Sequence, residues 1–233
     1  MLFSMRVSLR DKPGVLGSLA SALGRMGANI VTLDVIDRGN GEAVDDLTVE
    51  VPDGGTLAEA LRRAAEEVPG AVVEAVRPIP HIHSSSSAME LGAAIVEAGP
   101  SRALQTLTDG MPGALWASWA VALSPGSPPE VLAASASAPS MSNVETPWLP
   151  LDRSRRLAPA PWMPAAWCMG RMSYEIAAAP LNRTDGAILV ARRFGPRFRP
   201  TEVDQLGLLT RVLEGVVDPS NLLGREFFGA GAK

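Results

Sequence analysis

Apolar and polar residues alternate from Phe3 to Leu9, with Phe3, Met5, Val7 and Leu9 pointing one way and Ser4, Arg6, Ser8 and Arg10 the other. A period of two predicts a strand with one wet face. From Val15 the period lengthens: Val15, Leu16, Leu19, Ala22, Leu23 and Met26 share one side of a helix, and Gly27 stands where a left-handed cap would end it. Ile30 to Ile36 reads as a second strand, Arg38-Gly39-Asn40-Gly41-Glu42 as a hairpin turn, and Ala43 to Val51 as a third strand. After Pro52-Asp53-Gly54-Gly55, Thr56 and Glu59 form a capping box for a helix whose buried face is Leu57, Ala60, Leu61, Ala64 and Val68. Val72 to Ile79 closes the series as a fourth strand. The order βαββαβ is the split βαβ plan, with two helices on one face of an antiparallel sheet.

Pro80-His81-Ile82-His83 and the four serines that follow have little to bury and read as a flexible connector. Beyond it the pattern predicts a helix over Ala88–Leu107, interrupted at Gly99-Pro100, and a turn at Asp109-Gly110-Met111-Pro112-Gly113. Leu115–Leu123 and Glu130–Ser137 read as strands. Residues 138–172 are proline-rich and irregular, yet they carry Trp148, Trp162 and Trp167 among Met163, Cys168, Met169 and Met172. So many large apolar groups must be buried, over their own sheet or around a ligand, and the three tryptophans mark a possible second pocket. Ser173–Ala179 and Ala187–Arg193 read as strands around the turn at Asn182–Gly186, and Thr201 as the cap of a last helix, Glu202–Val217. The expected organisation is an α+β domain over 1–79, a linker over 80–87, a second domain with a central antiparallel sheet over 88–217, and a tail over 218–233.

Composition narrows the class. Of 233 residues, 46% are hydrophobic and 20% charged, which suits a globular chain. Residues 1–79 carry eight Lys and Arg against twelve Asp and Glu; from residue 88 onward there are thirteen of each. Neither part has the basic surface that nucleic acid requires. The longest largely apolar run, Ala114 to Leu123, is too short to cross a bilayer, and no secretory-leader pattern opens the sequence. With a single cysteine, no intramolecular disulfide can form, and a cytoplasmic location is expected. His81 and His83 are the only histidines and lack a nearby cysteine or carboxylate cluster, so no metal centre is expected.

The stretch with the most explicit chemistry is Asp11-Lys12-Pro13-Gly14-Val15-Leu16, between the first strand and the first helix. Backbone N–H groups of Gly14, Val15 and Leu16 would sit at a helix N-terminus without intrahelical acceptors, where the helix dipole favours an anion such as an α-carboxylate. A side chain at Gly14 would crowd that approach. Asp11 can pair with an α-ammonium, and the Asn29 amide, beside Ile30, offers both a donor and an acceptor. The bland alternatives are that Asp-Lys-Pro-Gly is only a good turn, that Asn29 serves a strand edge, and that Lys12 is a solvated cation.

Residues 3–79, through the D-K-P-G-V-L loop after the first strand and G-A-N-I entering the second, resemble ACT domains, which sense amino acids. The resemblance implies a ferredoxin-like fold, a free amino acid as ligand and a homodimer in which Asn29 of one subunit faces the loop of the other. The ligand-binding set so implied is Asp11, Lys12, Pro13, Gly14, Val15, Leu16, Asn29 and Ile30. The closing part, with Pro180-Leu181, the Gly186-led strand, Gly195-Pro196, Phe198 and Thr201-Glu202 before a terminal helix, resembles GAF domains over about 88–217. Two features depart from that family. The N-K-F-D-E constellation of its cyclic-nucleotide binders is missing, and Cys168 has no adjacent histidine for bilin attachment, so a buried thiol is expected there.

No histidine sits beside a Ser or Cys within a motif, and there is no Walker loop, G-x-G-x-x-G or C-x-x-C, so neither catalysis nor a cofactor is expected. Two functions follow: an amino-acid-binding regulatory protein acting on a separate, unidentified protein partner, or a dimerisation scaffold that senses nothing. A third places a small molecule in the Trp-lined half.

Overall fold

In the computed structural model the described residues are 1–52, 58–79, 86–168, 173–182, 184–193 and 195–217. The chain divides into two compact units, Met1–Ser85 and Ser86–Lys233. Several expectations fall outside the described residues: the Thr56 cap with Leu57, His81 and His83, most of the 80–87 linker, Met169 and Met172, and the 218–233 tail.

The first unit runs β1 (Leu2–Arg10), α1 (Val15–Arg25), β2 (Asn29–Gly39), β3 (Glu42–Glu50), α2 (Ala58–Glu66) and β4 (Val72–Ile79). Its sheet has the order β2-β3-β1-β4, all antiparallel. Phe3, Met5, Val7 and Leu9 form the floor of a core roofed by Leu19 and Leu23 of α1 and Leu61 and Ala65 of α2. Each large side chain so buried contributes roughly 1.5–3 kcal/mol relative to exposure. Gly27 takes φ 77° after α1, as its position predicted.

One expectation fails here. The polar face of β1 is wet only towards its end: Ser4 and Arg6 are fully buried, Ser8 is half-buried and Arg10 is exposed. Arg6 lies opposite Asp46 of β3, and its Nε and Nη2 donate to the two Asp46 carboxylate oxygens, each at 2.6 Å. Alternation reported which side chains are polar. It could not report that an ion pair, rather than water, satisfies Arg6, nor that the Ser4 Oγ is buried with no partner among the described residues.

The second unit comprises α3 (Ser86–Ala98), α4 (Ala103–Ala114), β5 (Trp119–Ser124), β6 (Glu130–Ala134), β7 (Arg155–Leu157), α5 (Ala165–Cys168), β8 (Tyr174–Leu181), β9 (Gly186–Arg193) and α6 (Pro200–Val216). Gly99 does interrupt the first helix, but the turn expected at 109–113 lies inside α4. Tertiary packing overrides the local signal: a Cβ on Gly110 would lie 2.2 Å from Leu91 Cδ1, so glycine permits the close α3–α4 approach. Pro112 also lies inside α4, two residues before its end, where it cannot donate to the Thr108 carbonyl. Residues 115–118 are likewise not strand, and Trp116 there has φ 52°.

The five strands form an antiparallel sheet of order β6-β5-β9-β8-β7. One face, lined by Ala120, Ala122, Ala177, Ala179, Ile188 and Val190, packs with α3, α4 and α6. The opposite face, with Trp119, Val121, Leu123, Ile176 and Leu189, is covered by Met141, Val144, Leu151, Met163 and Trp167 from the irregular segment. At the start of α6 the cap is Arg199, not Thr201: the Arg199 N–H donates to Glu202 Oε2 at 2.8 Å. The other Glu202 oxygen accepts from buried Arg192 at 2.6 Å.

Candidate functional site

The loop that opens α1 is anchored at one end of the first sheet. The Asp11 N–H donates to Gly41 O in the β2–β3 turn at 2.9 Å, and the Lys12 N–H to Arg10 O at 2.9 Å. Gly14 takes φ 89° as the N-cap, a left-handed conformation that explains the glycine. A Cβ there meets no atom of the chain within 4 Å, so the requirement for glycine here comes from its backbone conformation and not from packing within the protein. The Val15 N–H is used by Lys12 O at 3.3 Å, and Ser18 donates from both N–H and Oγ to Gly14 O at 3.0 and 3.1 Å. Among the described residues, the N–H groups of Gly14, Leu16 and Gly17 have no acceptor. The free set is thus Gly14, Leu16 and Gly17, where Gly14, Val15 and Leu16 were expected. Lys12, Pro13 and Leu16 are exposed around it and Val15 is half-buried against the core.

Asp11 is not a bare carboxylate. The Arg38 Nε and Nη2 donate to it at 3.1, 2.9 and 2.7 Å, engaging both oxygens. Beside this pair lies Asp45 of β3, opposite Val7 and Val35 and only 3% exposed. Its Oδ1 has no hydrogen-bond partner among the described residues. Burial pushes the Asp45 carboxyl above its ordinary value of 3.8, the Asp46 and Asp11 charges push it further, and Arg38 opposes them. A carboxyl raised in the fold holds its proton more tightly than in the unfolded chain. The fold therefore loses stability as pH climbs from 3.8 through the folded value, and the loss persists above it. Asp45→Asn is expected to remove that decline, so that the stability of the variant relative to wild type grows as pH climbs from 3.8 through the folded value. Urea midpoints across that range check it, and parallel profiles contradict it.

Asn29 does not meet the loop within one chain. It pairs with Glu50, whereas Gly39 pairs with Glu42 at the end where Asp11 bonds Gly41. Eight residues of β3 separate the two positions, roughly 27 Å at strand rise. Asn29 is exposed and Ile30 half-buried against the core.

In the second unit the tryptophans divide. Trp167 is buried, its ring 5.1 Å from Trp119, with Tyr174 edge-on to both. Trp148 and Trp162, partly buried, pair with each other at 5.3 Å. Cys168 is half-buried and its thiol faces Met163 Sδ at 3.6 Å. An open cleft of about 400 Å³ lies elsewhere, between the segment before β7, the end of β8 and α6, with Arg153, Arg211, Asp152 and Asp204 on its walls and no tryptophan. Among the described residues no group of three or more His, Cys, Asp and Glu could hold a metal, and no helix is long and apolar enough to cross a membrane.

Reading the sequence missed Arg38 and Asp45. One signal was present: Asp45-Asp46 interrupts a strand otherwise built of Val44, Leu47 and Val49, and charges inside a strand need partners.

Comparison with known proteins adds the following. No curated protein matches the sequence. Among solved structures, a formyltetrahydrofolate deformylase from Pseudomonas putida KT2440 is similar at 11% identity and a TM-score of 0.29, over 46% of this chain and 39% of that one. An unknown protein from Galdieria sulphuraria is similar at 14% identity and a TM-score of 0.31, over 92% of each chain. The chain spans well under half the length of the deformylase. Residues 3–76 match the ACT domain family model. With its βαββαβ order and four-stranded antiparallel sheet, this segment is an ACT domain, the kind of module that binds a small ligand and regulates.

Proposed function

We propose that this chain is an amino-acid-responsive regulatory protein whose ligand sits at the Asp11–Leu16 loop and is completed by a second subunit. The observation that carries this reading is the group of free N–H donors on Gly14, Leu16 and Gly17 at the positive end of α1, held open by a left-handed Gly14. Such a group suits an α-carboxylate. The separation of Asn29 from the loop supports the dimeric form of the reading, because only another chain can bring that amide to the ligand. Ligand held between two copies favours the paired state by mass action. The second unit, read as GAF-like, would carry the response to a separate protein. Its five-stranded antiparallel sheet and the closing helix after Arg199 support that part. On this reading the chain is a non-catalytic protein.

Titration calorimetry with each of the twenty L-amino acids tests the proposal. At least one should bind, and Gly14→Val should weaken it at least tenfold while far-UV circular dichroism stays unchanged, since a β-branched residue resists φ 89°. Silence across the panel refutes it. Sedimentation with and without the bound amino acid separates sensor from scaffold, because a scaffold gives the same dimer in both. One observation favours a second reading, a ligand among the aromatics of the C-terminal unit: Trp119 Nε1 is buried with no acceptor among the described residues. Tryptophan fluorescence should then respond to ligands that leave the loop untouched.

A further inference from the structure

Three charged groups lie at one end of the sheet beside the loop: Asp11 and Arg38, in contact, and Asp45, two residues along β3 from the Ala43 that pairs with Arg38. They hold one positive charge against two carboxylates. Arg38 is spent on Asp11, with both Asp11 oxygens engaged, while buried Asp45 keeps an oxygen without a donor. A carboxylate oxygen out of water and without a donor is costly, so a second cation would be favoured at this point. The register places Asp45 opposite Val7, on the helix side of the sheet with Leu47.

We propose that Asp45 is the ammonium-reading group of the loop site, and that Arg38 is a tethered cation which the ligand's ammonium displaces from the Asp11–Asp45 pair. This rests on the amino-acid reading above and sharpens it. The ligand class is then a zwitterion, its carboxylate on the N–H groups of α1 and its ammonium on two aspartates, and a 2-hydroxy acid of the same skeleton is rejected. Displacement is feasible because the Arg38–Asp11 pair is exposed, with side-chain exposures of 64% and 36%, and exposed pairs are weak. Arg38 keeps the carboxylates balanced while the site waits for its ligand.

Calorimetry on wild type, Arg38→Ala and Asp45→Asn decides it, using the twenty L-amino acids and the 2-hydroxy acid analogue of any that binds. Arg38→Ala, an exposed change that leaves the fold alone, should tighten the amino acid about two- to fivefold by removing the competitor. Wild type should prefer the amino acid over its hydroxy analogue at least tenfold, and Asp45→Asn should shrink that preference to within about threefold. An amino acid that binds wild type but is unchanged or weakened by Arg38→Ala overturns the displacement, and a preference that survives Asp45→Asn overturns the reader; both results leave the carboxylate seat standing. Should Asp45→Asn not fold, the wild-type preference for the amino acid over its hydroxy analogue decides the reader, and one below about threefold overturns it. Silence in all three proteins overturns the seat and the reader together.

Discussion

Arg192→Ala is expected to destabilise the C-terminal unit by about 3–5 kcal/mol, because it removes one partner of a buried ion pair. Arg192 and Glu202 side chains are 2% and 7% exposed, and their closest atoms are 2.6 Å apart. The same guanidinium donates to Trp116 O at 3.1 Å, Leu115 O at 2.6 Å and Pro196 O at 2.9 Å, and its Cζ lies 4.1 Å from the centre of the Phe198 ring. It therefore ties β9 to the end of α4, to the loop after β9 and to the first turn of α6. Truncation takes the guanidinium from the buried Glu202 Oε1, leaving that carboxylate charge without its cation, and removes a donor from three carbonyls. All five tryptophans lie in this unit, so urea unfolding followed by their fluorescence reports it directly. The midpoint should fall by roughly 2 M. The double variant Arg192→Met with Glu202→Leu should regain more than half the loss, since replacing both charges by apolar groups avoids the orphaned carboxylate. A single-variant shift below about 1 kcal/mol would mean that water reaches the pair.

Asp46→Ala should cost a similar amount, about 3–5 kcal/mol, in the ACT domain. It would take both Asp46 oxygens from Arg6, 1% exposed, in the middle of β1. Residues 1–79 contain no tryptophan or tyrosine, so fluorescence would be blind to the change and far-UV circular dichroism must follow it. Asp46→Asn should cost less, because the amide oxygen can still accept from the guanidinium. Equal losses for the two variants would contradict the pairing as the source of the stability.

The N-terminal fold was legible because each of its elements has a local cause. The switch of period at Val15, the left-handed Gly27 and the hairpin at Asn40-Gly41 all act within a few residues. The C-terminal unit was harder. The Asp109–Gly113 stretch has every mark of a turn, yet it lies in α4 because Gly110 allows Leu91 to approach, a contact between positions far apart in sequence. The three-residue strand β7 is too short to show a period. At the candidate site the loop and its glycine could be read, whereas Asp45 signalled only that a charge inside a strand needs a partner and Arg38 gave no sign. Their roles arise where strands β2 and β3 pass the loop, and pairing across strands is invisible to spacing along the chain.

The central claim is that the free N–H groups at the start of α1 hold the ligand. Amide NMR on the ¹⁵N-labelled chain, titrated with an amino acid identified by calorimetry, tests it most directly. The resonances of Gly14, Leu16 and Gly17 should move with saturation, Asn29 should move with them, and those of the C-terminal sheet should stay in place. Stationary Gly14, Leu16 and Gly17 amides while another region responds would contradict it.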